Sequence, residues 1–150
     1  MARVDPDVAA PVVAAASLLR AQNGVGVAMK LLLANGNTTQ AVTDKVVVEA
    51  IRCAAPGTSI TGVTARFGVS IVSTDAENEI AGHAVLDLLA SSYLGHDAAI
   101  LAISYDTALV AARQIMPIPV VGMTEASLHT ACLLGRRFGL IGFGRSSRAM

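Results

Sequence analysis

The stretch Lys30-Leu31-Leu32-Leu33-Ala34-Asn35-Gly36-Asn37-Thr38-Thr39 decides the fold. A short apolar run, opened abruptly at Met29, stops at an Asn-Gly turn signal. A helical pattern follows from about Thr38 to Ala54, with Asn37 as N-cap and Gln40 three residues on. Its apolar stripe is Val42, Val46, Ala50 and Cys53. Pro56-Gly57 ends it, and residues 59–64 read as a second strand.

The same alternation continues outward. Phe67-Gly68-Val69 reads as a loop or a short strand. Thr74 and Glu77 have capping-box spacing, and a helix follows to about Tyr93 with Ile80, Ala84, Val85, Leu88 and Leu89 on one face. Residues 98–103 form an apolar run without polar alternation, as expected for a strand covered on both faces. A helix over 107–115, a strand over 120–123, a helix capped by Thr124 and running to Gly135, and a last strand over 138–143 complete the pattern. Hairpin signals are absent, and the crossovers are a dozen or more residues long. The expected class is therefore α/β: a parallel sheet with helices on both faces.

Composition narrows the function. The 150 residues are 53% hydrophobic and 15% charged, and 11 basic side chains balance 11 acidic ones. A zero net charge supplies no field for a polyanion, so no nucleic-acid partner is expected. No apolar run reaches the ~20 residues of a membrane span. Residues 8–19 only loosely resemble a signal peptide, since Asp5 and Asp7 flank them and Arg3 is the one upstream basic side chain. The expected location is cytoplasmic. Residues 1–28 read as an N-terminal extension, partly helical or flexible, with a helix over 9–20; Met29 is then an alternative start.

In parallel sheets, chemistry sits in the loops at the carboxyl ends of the strands. The first such loop carries Asn35 and Thr38 beside helix amides, a candidate anion site as well as an ordinary capped turn. The third carries Ser104 and Tyr105, with Ser104 or Asp106 able to cap the next helix. Ser104 has no G-x-S-x-G context and no nearby His, which argues against a nucleophile. The fourth offers Thr124 and Glu125, the latter also favoured by the helix dipole. His83, His96 and His129 form no cluster, and His83 is expected half-buried at the edge of a helix stripe. Cys53 and Cys132 fall on helix stripes and are expected to be buried structural thiols. No Cys/His pair has metal-ligand spacing, so no metal is expected. The glycines at 139, 142 and 144 are in the wrong order for a dinucleotide fingerprint.

Several segments in order resemble the aspartate/glutamate/hydantoin racemase superfamily. They are residues 29–39, where Gly36 stands in place of the usual proline of Asn-Pro-Asn-Thr/Ser, residues 57–68, Ile118-Pro119-Val120-Val121-Gly122-Met123-Thr124-Glu125-Ala126, and residues 133–138. The hydantoin racemase branch is the nearest. The resemblance implies two α/β lobes with a site between them. Residues 29–116 would be the first lobe and 117–150 the start of a second, cut short. It also implies cofactor-independent racemisation, with two cysteines exchanging the proton α to a carbonyl. Here Ile103 falls at the first cysteine position, with Ser104 next to it. The second cysteine segment would lie beyond residue 150.

Asn35, Thr38, Ser104, Tyr105, Thr124 and Glu125 carry over as substrate-binding positions, and Ser104 as the weak catalytic candidate. The expected ligand is a small carboxylate or a hydantoin. The expected chain is a truncated, weakly active or inactive racemase-like protein, with excess exposed apolar surface and a tendency to form a homo-oligomer. Two alternatives stand beside it: a non-catalytic small-carboxylate-binding protein or subunit, and an arylmalonate-decarboxylase-like enzyme that uses Ser104.

Overall fold

The computed structural model describes residues 28–141. The expectations for residues 1–27, including the helix over 9–20, lie outside the described residues, as do residues 142–150. Strands and helices alternate. β1 (Lys30–Asn35) leads to α1 (Gln40–Cys53), β2 (Ser59–Thr64) to α2 (Asp75–Ser92), β3 (Ala98–Leu101) to α3 (Leu109–Ile115), and β4 (Val120–Gly122) to α4 (Met123–Leu134). The strands pair in parallel in the order β2-β1-β3-β4. The α/β class expected from the sequence is the one observed.

Strand alternation sorts the two faces. Leu32 and Ala34 of β1, Ala99 and Leu101 of β3 and Val120 of β4 pack with Val85, Leu88 and Leu89 of α2 and with Leu109 and Ala112 of α3. Burying each leucine or valine here contributes about 1.5–3 kcal/mol. On the opposite face Leu33 and Asn35 are fully buried, and Asn35 bonds to Thr43 of α1. Farther along that face Val121 is 38% exposed. No residue of α4 is buried, and Leu133 and Leu134 are 88% and 65% exposed.

Local chemistry sets the helix starts. At α2 the expected capping box is present: the Thr74 hydroxyl accepts from the Glu77 amide, and the Glu77 carboxylate accepts from the Thr74 and Ser73 amides. The Ser73 amide bond, then the bond from the Thr74 side chain, holds the Glu77 carboxyl below the usual glutamate value. Arg113 does the same for Glu125. A carboxyl whose pKa is lowered by folding stabilises the fold above its unfolded pKa, and that contribution is lost as pH falls through the folded value. Thermal stability should therefore fall on acidification below the ordinary glutamate value of 4.5. Glu77→Gln should flatten part of that slope, as measured by melting curves across the acid range.

Several expectations are corrected. Thr39, not Asn37, is the N-cap of α1, because the Asn37 side chain accepts from the Thr39 amide in a tight turn and so delays the helix. α3 begins at Leu109 rather than 107, because Asp106 and Ala108 take left-handed backbone angles (φ 48° and 60°) just before it. Thr124 does not cap α4; Gly122 is its N-cap, and the Thr124 hydroxyl donates to the Ser104 carbonyl. Residues 138–141 form no strand; among the described residues no strand pairs with them, and Ile141 is 88% exposed.

The burial of several single residues also differs. Ala81, not Ile80, completes the buried face of α2, and Ile80 is 48% exposed. Cys53 and Cys132 are exposed rather than buried. Cys53 ends α1 at the rim of the sheet, beside the equally exposed Ile51 and Arg52, and α4 buries no residue at all. His83 is exposed and meets Phe67 edge-on, with ring centroids 5.1 Å apart. Among the described residues no helix is long and apolar enough to cross a membrane.

Candidate functional site

The strand order reverses at β1. The chain leaves β1 for β2 on one side and returns to β3 on the other. Loops leaving β1 and β3 therefore part to opposite faces, and in open parallel sheets the space between such loops, at the carboxyl edge, is the usual ligand crevice. Its two sides are residues 35–39 and residues 102–108.

The first side is built around Asn35. Its side chain is fully buried. Its amide nitrogen donates to Asn37 Oδ1 (3.1 Å), to Thr43 Oγ1 (3.0 Å) and, at longer range, to the Thr39 carbonyl (3.4 Å). Its oxygen accepts from the Asn37 amide. Asn37 Oδ1 in turn accepts from the Thr39 amide at 2.9 Å. Thr43 shares a proton with Thr64 of β2, whose hydroxyl can donate to Gln40. The loop is also tied to the β2–α2 loop: the Thr38 amide donates to the Val69 carbonyl and the Thr39 hydroxyl to the Ser70 carbonyl. Asn35 thus shapes the turn from below, while Thr38 is exposed at its crest. Thr39 makes no side-chain cap bond. The start of α1 therefore has no side-chain cap from Thr39; the Val42 amide turns back to the Thr39 carbonyl, and the positive end of the helix dipole lies at this loop.

The other side carries Ile103, Ser104, Tyr105 and Asp106. Ile103 is 6% exposed and belongs to the core cluster. Ser104 is exposed, and Tyr105 packs half-buried against the core. Asp106 was readable as a cap for the helix that follows it. It caps the next one along instead: its carboxylate accepts from the Thr124 amide (2.9 Å) and the Glu125 amide (2.6 Å) at the start of α4. The approach is so close that a Cβ on Gly122 would lie 2.5 Å from Asp106 Cγ, so only glycine fits there. Arg113 completes the clasp. It donates to the Val120 carbonyl and forms a two-pronged pair with Glu125, which raises its own pKa further.

The structure therefore brings Ser104 and Thr124 together, through a 2.6 Å bond from the Thr124 hydroxyl to the Ser104 carbonyl. It brings the first and third loops together through Gly36 and Ile103. The Glu125 carboxylate is engaged by Arg113, and the N-terminus of α4 already holds an internal carboxylate. Of the helix starts in the first and fourth loops, that of α4 holds an internal carboxylate, and that of α1 has none from its cap residue among the described residues. Sequence reasoning missed Thr43, Thr64 and Arg113, whose side-chain partners lie 7 to 24 residues away along the chain. Cys53 stands at the far end of α1, about 20 Å along the helix from the crevice by helix rise alone. Among the described residues no group of three His, Cys, Asp or Glu side chains is placed to hold a metal ion.

Comparison with known proteins accords with this architecture. The sequence pattern of the Asp/Glu/hydantoin racemase family matches residues 31–150. A hydantoin racemase of Pseudomonas sp. (strain NS671) is 30% identical over 114 residues, which are 75% of this chain and 46% of that protein. A hydantoin racemase of Paenarthrobacter aurescens is 24% identical, over 75% of this chain and 49% of its own length. The chain thus spans about half the length of these relatives. Among solved structures, an allantoin racemase from Klebsiella pneumoniae superposes with a TM-score of 0.68 at 34% identity, covering 71% of this chain and 44% of that one. An allantoin racemase from Pseudomonas fluorescens gives 0.66 at 32% identity, covering 73% and 47%. With the sequence pattern and the parallel sheet in agreement, the chain belongs to the Asp/Glu/hydantoin racemase family.

Proposed function

We propose that the crevice between β1 and β3 binds a hydantoin, or a similar cyclic ureide or small carboxylate, and that this chain moves the α-proton of such a ligand weakly or not at all. The family supports the ligand class: relatives are hydantoin and allantoin racemases. The start of α1 supports the place. Its helix-start amides and the exposed Thr38 are suited to ring oxygens or a carboxylate, while Asn35 holds the turn that leads into them. Ser104, on the opposite side, offers a hydroxyl to the developing oxyanion.

One observation carries the second half of the proposal. Ile103, at the position where the family resemblance puts a proton-transferring cysteine, is a core side chain without a titratable group. Ser104 beside it is an alcohol, a far weaker base than a thiolate at neutral pH. Neither exposed cysteine lies on the crevice loops: Cys53 ends α1 and Cys132 sits near the end of α4. A positioned base contributes on the order of 10²–10⁴ in rate, and that contribution is missing here.

The test is polarimetry on an enantiopure 5-substituted hydantoin, with C5 proton exchange into D2O followed by NMR. The expected rate is within about tenfold of buffer, given that the base contribution is lost. Robust turnover by the chain would overturn the claim of weak proton transfer. Release of CO2 from an aryl malonate would favour the decarboxylase alternative in its place.

A further inference from the structure

Gly36 is buried at the foot of the first loop. A Cβ there would overlap two side chains at once, Ile103 Cδ1 and Val85 Cγ2. Turning Ile103 aside would clear only the first. Val85 approaches from α2, where a β-branched side chain has one strongly preferred rotamer, and it is fully buried. Gly36, Ile103 and Val85 therefore share one small volume, at the foot of the two loops that leave the carboxyl ends of β1 and β3. The room left by the absent side chain at Gly36 is the room the Ile103 δ-methyl takes.

We propose that Gly36 and Ile103 are a specificity-determining pair that sets how deep a ligand can enter the crevice. With Ile103 seated against the Gly36 backbone the floor is apolar and high. The site then favours a ligand whose inward substituent is no larger than hydrogen or methyl. Shortening residue 103 lowers the floor and moves the preference toward bulkier substituents. This size role rests on the reading of the crevice as a ligand site; the shared volume does not.

The experiment uses the full chain as wild type, Gly36→Ala, Ile103→Ala and the double variant, with Ile103→Val replacing Ile103→Ala if the latter fails to fold. Thermal melts come first. Gly36→Ala should lower Tm by roughly 5–10 °C through overpacking. The double variant should lose clearly less than the two single losses combined, because the new methyl enters space that Ile103 has vacated. Additive losses would show that the two positions do not share space and would overturn the pair.

Calorimetric titration with hydantoin, 5-methylhydantoin and 5-benzylhydantoin follows. Wild type should prefer the two smaller ligands. Ile103→Ala should shift the ratio toward 5-benzylhydantoin by about tenfold or more, the usual scale for a changed hydrophobic pocket. If both proteins bind with the same size ranking, the size role is overturned and the ligand reading stands. If neither gives heat with any hydantoin, the ligand reading fails and takes the size role with it.

Discussion

Replacing Asn35 with alanine is expected to lower stability by about 2–4 kcal/mol, more than any other single polar change in the crevice. The side chain is completely buried and is the hub of the first loop, bonding to Asn37, Thr39 and Thr43. Alanine removes both the donor and the acceptor. It leaves the Thr43 hydroxyl with Thr64 alone and leaves the Asn37 side chain and amide without their tie to the strand. A buried polar group without its partner costs the full desolvation penalty, about 1–3 kcal/mol. A small cavity adds to it. Urea unfolding should show a lowered midpoint with little change in slope. Amide exchange should accelerate first at residues 36–41, because that turn loses its shape before the sheet does. A variant as stable as wild type would mean that backbone bonds alone, such as Thr38 to Val69, hold the loop.

The second large effect is expected at Asp106. Asp106→Ala should cost about 1–3 kcal/mol, because it removes two hydrogen bonds from a carboxylate to the first amides of α4. The loss is not confined to a cap. Asp106 joins the β3–α3 loop to the start of α4, and the bond from Thr124 to the Ser104 carbonyl depends on the same approach. Exchange protection should fall at Thr124 and Glu125 while β1 and β2 keep theirs. Asp106→Gly separates the two contributions. Glycine accepts the left-handed backbone at φ 48° without strain, so it should recover part of the loss while leaving α4 uncapped. Equal stability of the alanine and glycine variants would mean that the left-handed conformation stores little strain.

Much of the fold was legible in the residues. β2 lies at its expected bounds, β1 departs by a residue, and the Thr74–Glu77 capping box is present. These features are local: an apolar run, a turn dipeptide, a cap spaced three residues from its partner. What could not be read is non-local. Asp106 looked like a cap for its own helix, and it serves the start of α4, 18 and 19 residues on, because the parallel order β3-β4 lays those two loops side by side. Cys53 looked like a stripe residue because periodicity reports a face, not where the sheet beneath it ends. The run over 138–143 has strand composition, but among the described residues no strand lies beside 138–141 to pair with.

The candidate site was legible as a set of loops and much less as a set of roles. Asn35, Thr38, Ser104 and Thr124 do sit at the carboxyl edge. Residue type alone did not say that the Asn35 amide points inward to build the turn, or that Glu125 is held by Arg113. Gly36 and Ile103, the two positions where the resemblance implies a proline and a cysteine, lie 67 residues apart in the sequence. In the structure they are one contact, since a side chain at position 36 would meet Ile103 Cδ1.

The central claim is that the crevice between β1 and β3 is where a hydantoin-class ligand binds. The most direct test is the amide NMR spectrum of the isotopically labelled chain titrated with 5-methylhydantoin. Saturable shifts are expected at Gly36, at Thr38 through Ala41, and at Ser104 and Tyr105, with the start of α4 little affected because Asp106 already occupies it. An unchanged spectrum at high ligand concentration, or shifts centred on the opposite edge of the sheet near His96 and Asp97, would contradict it.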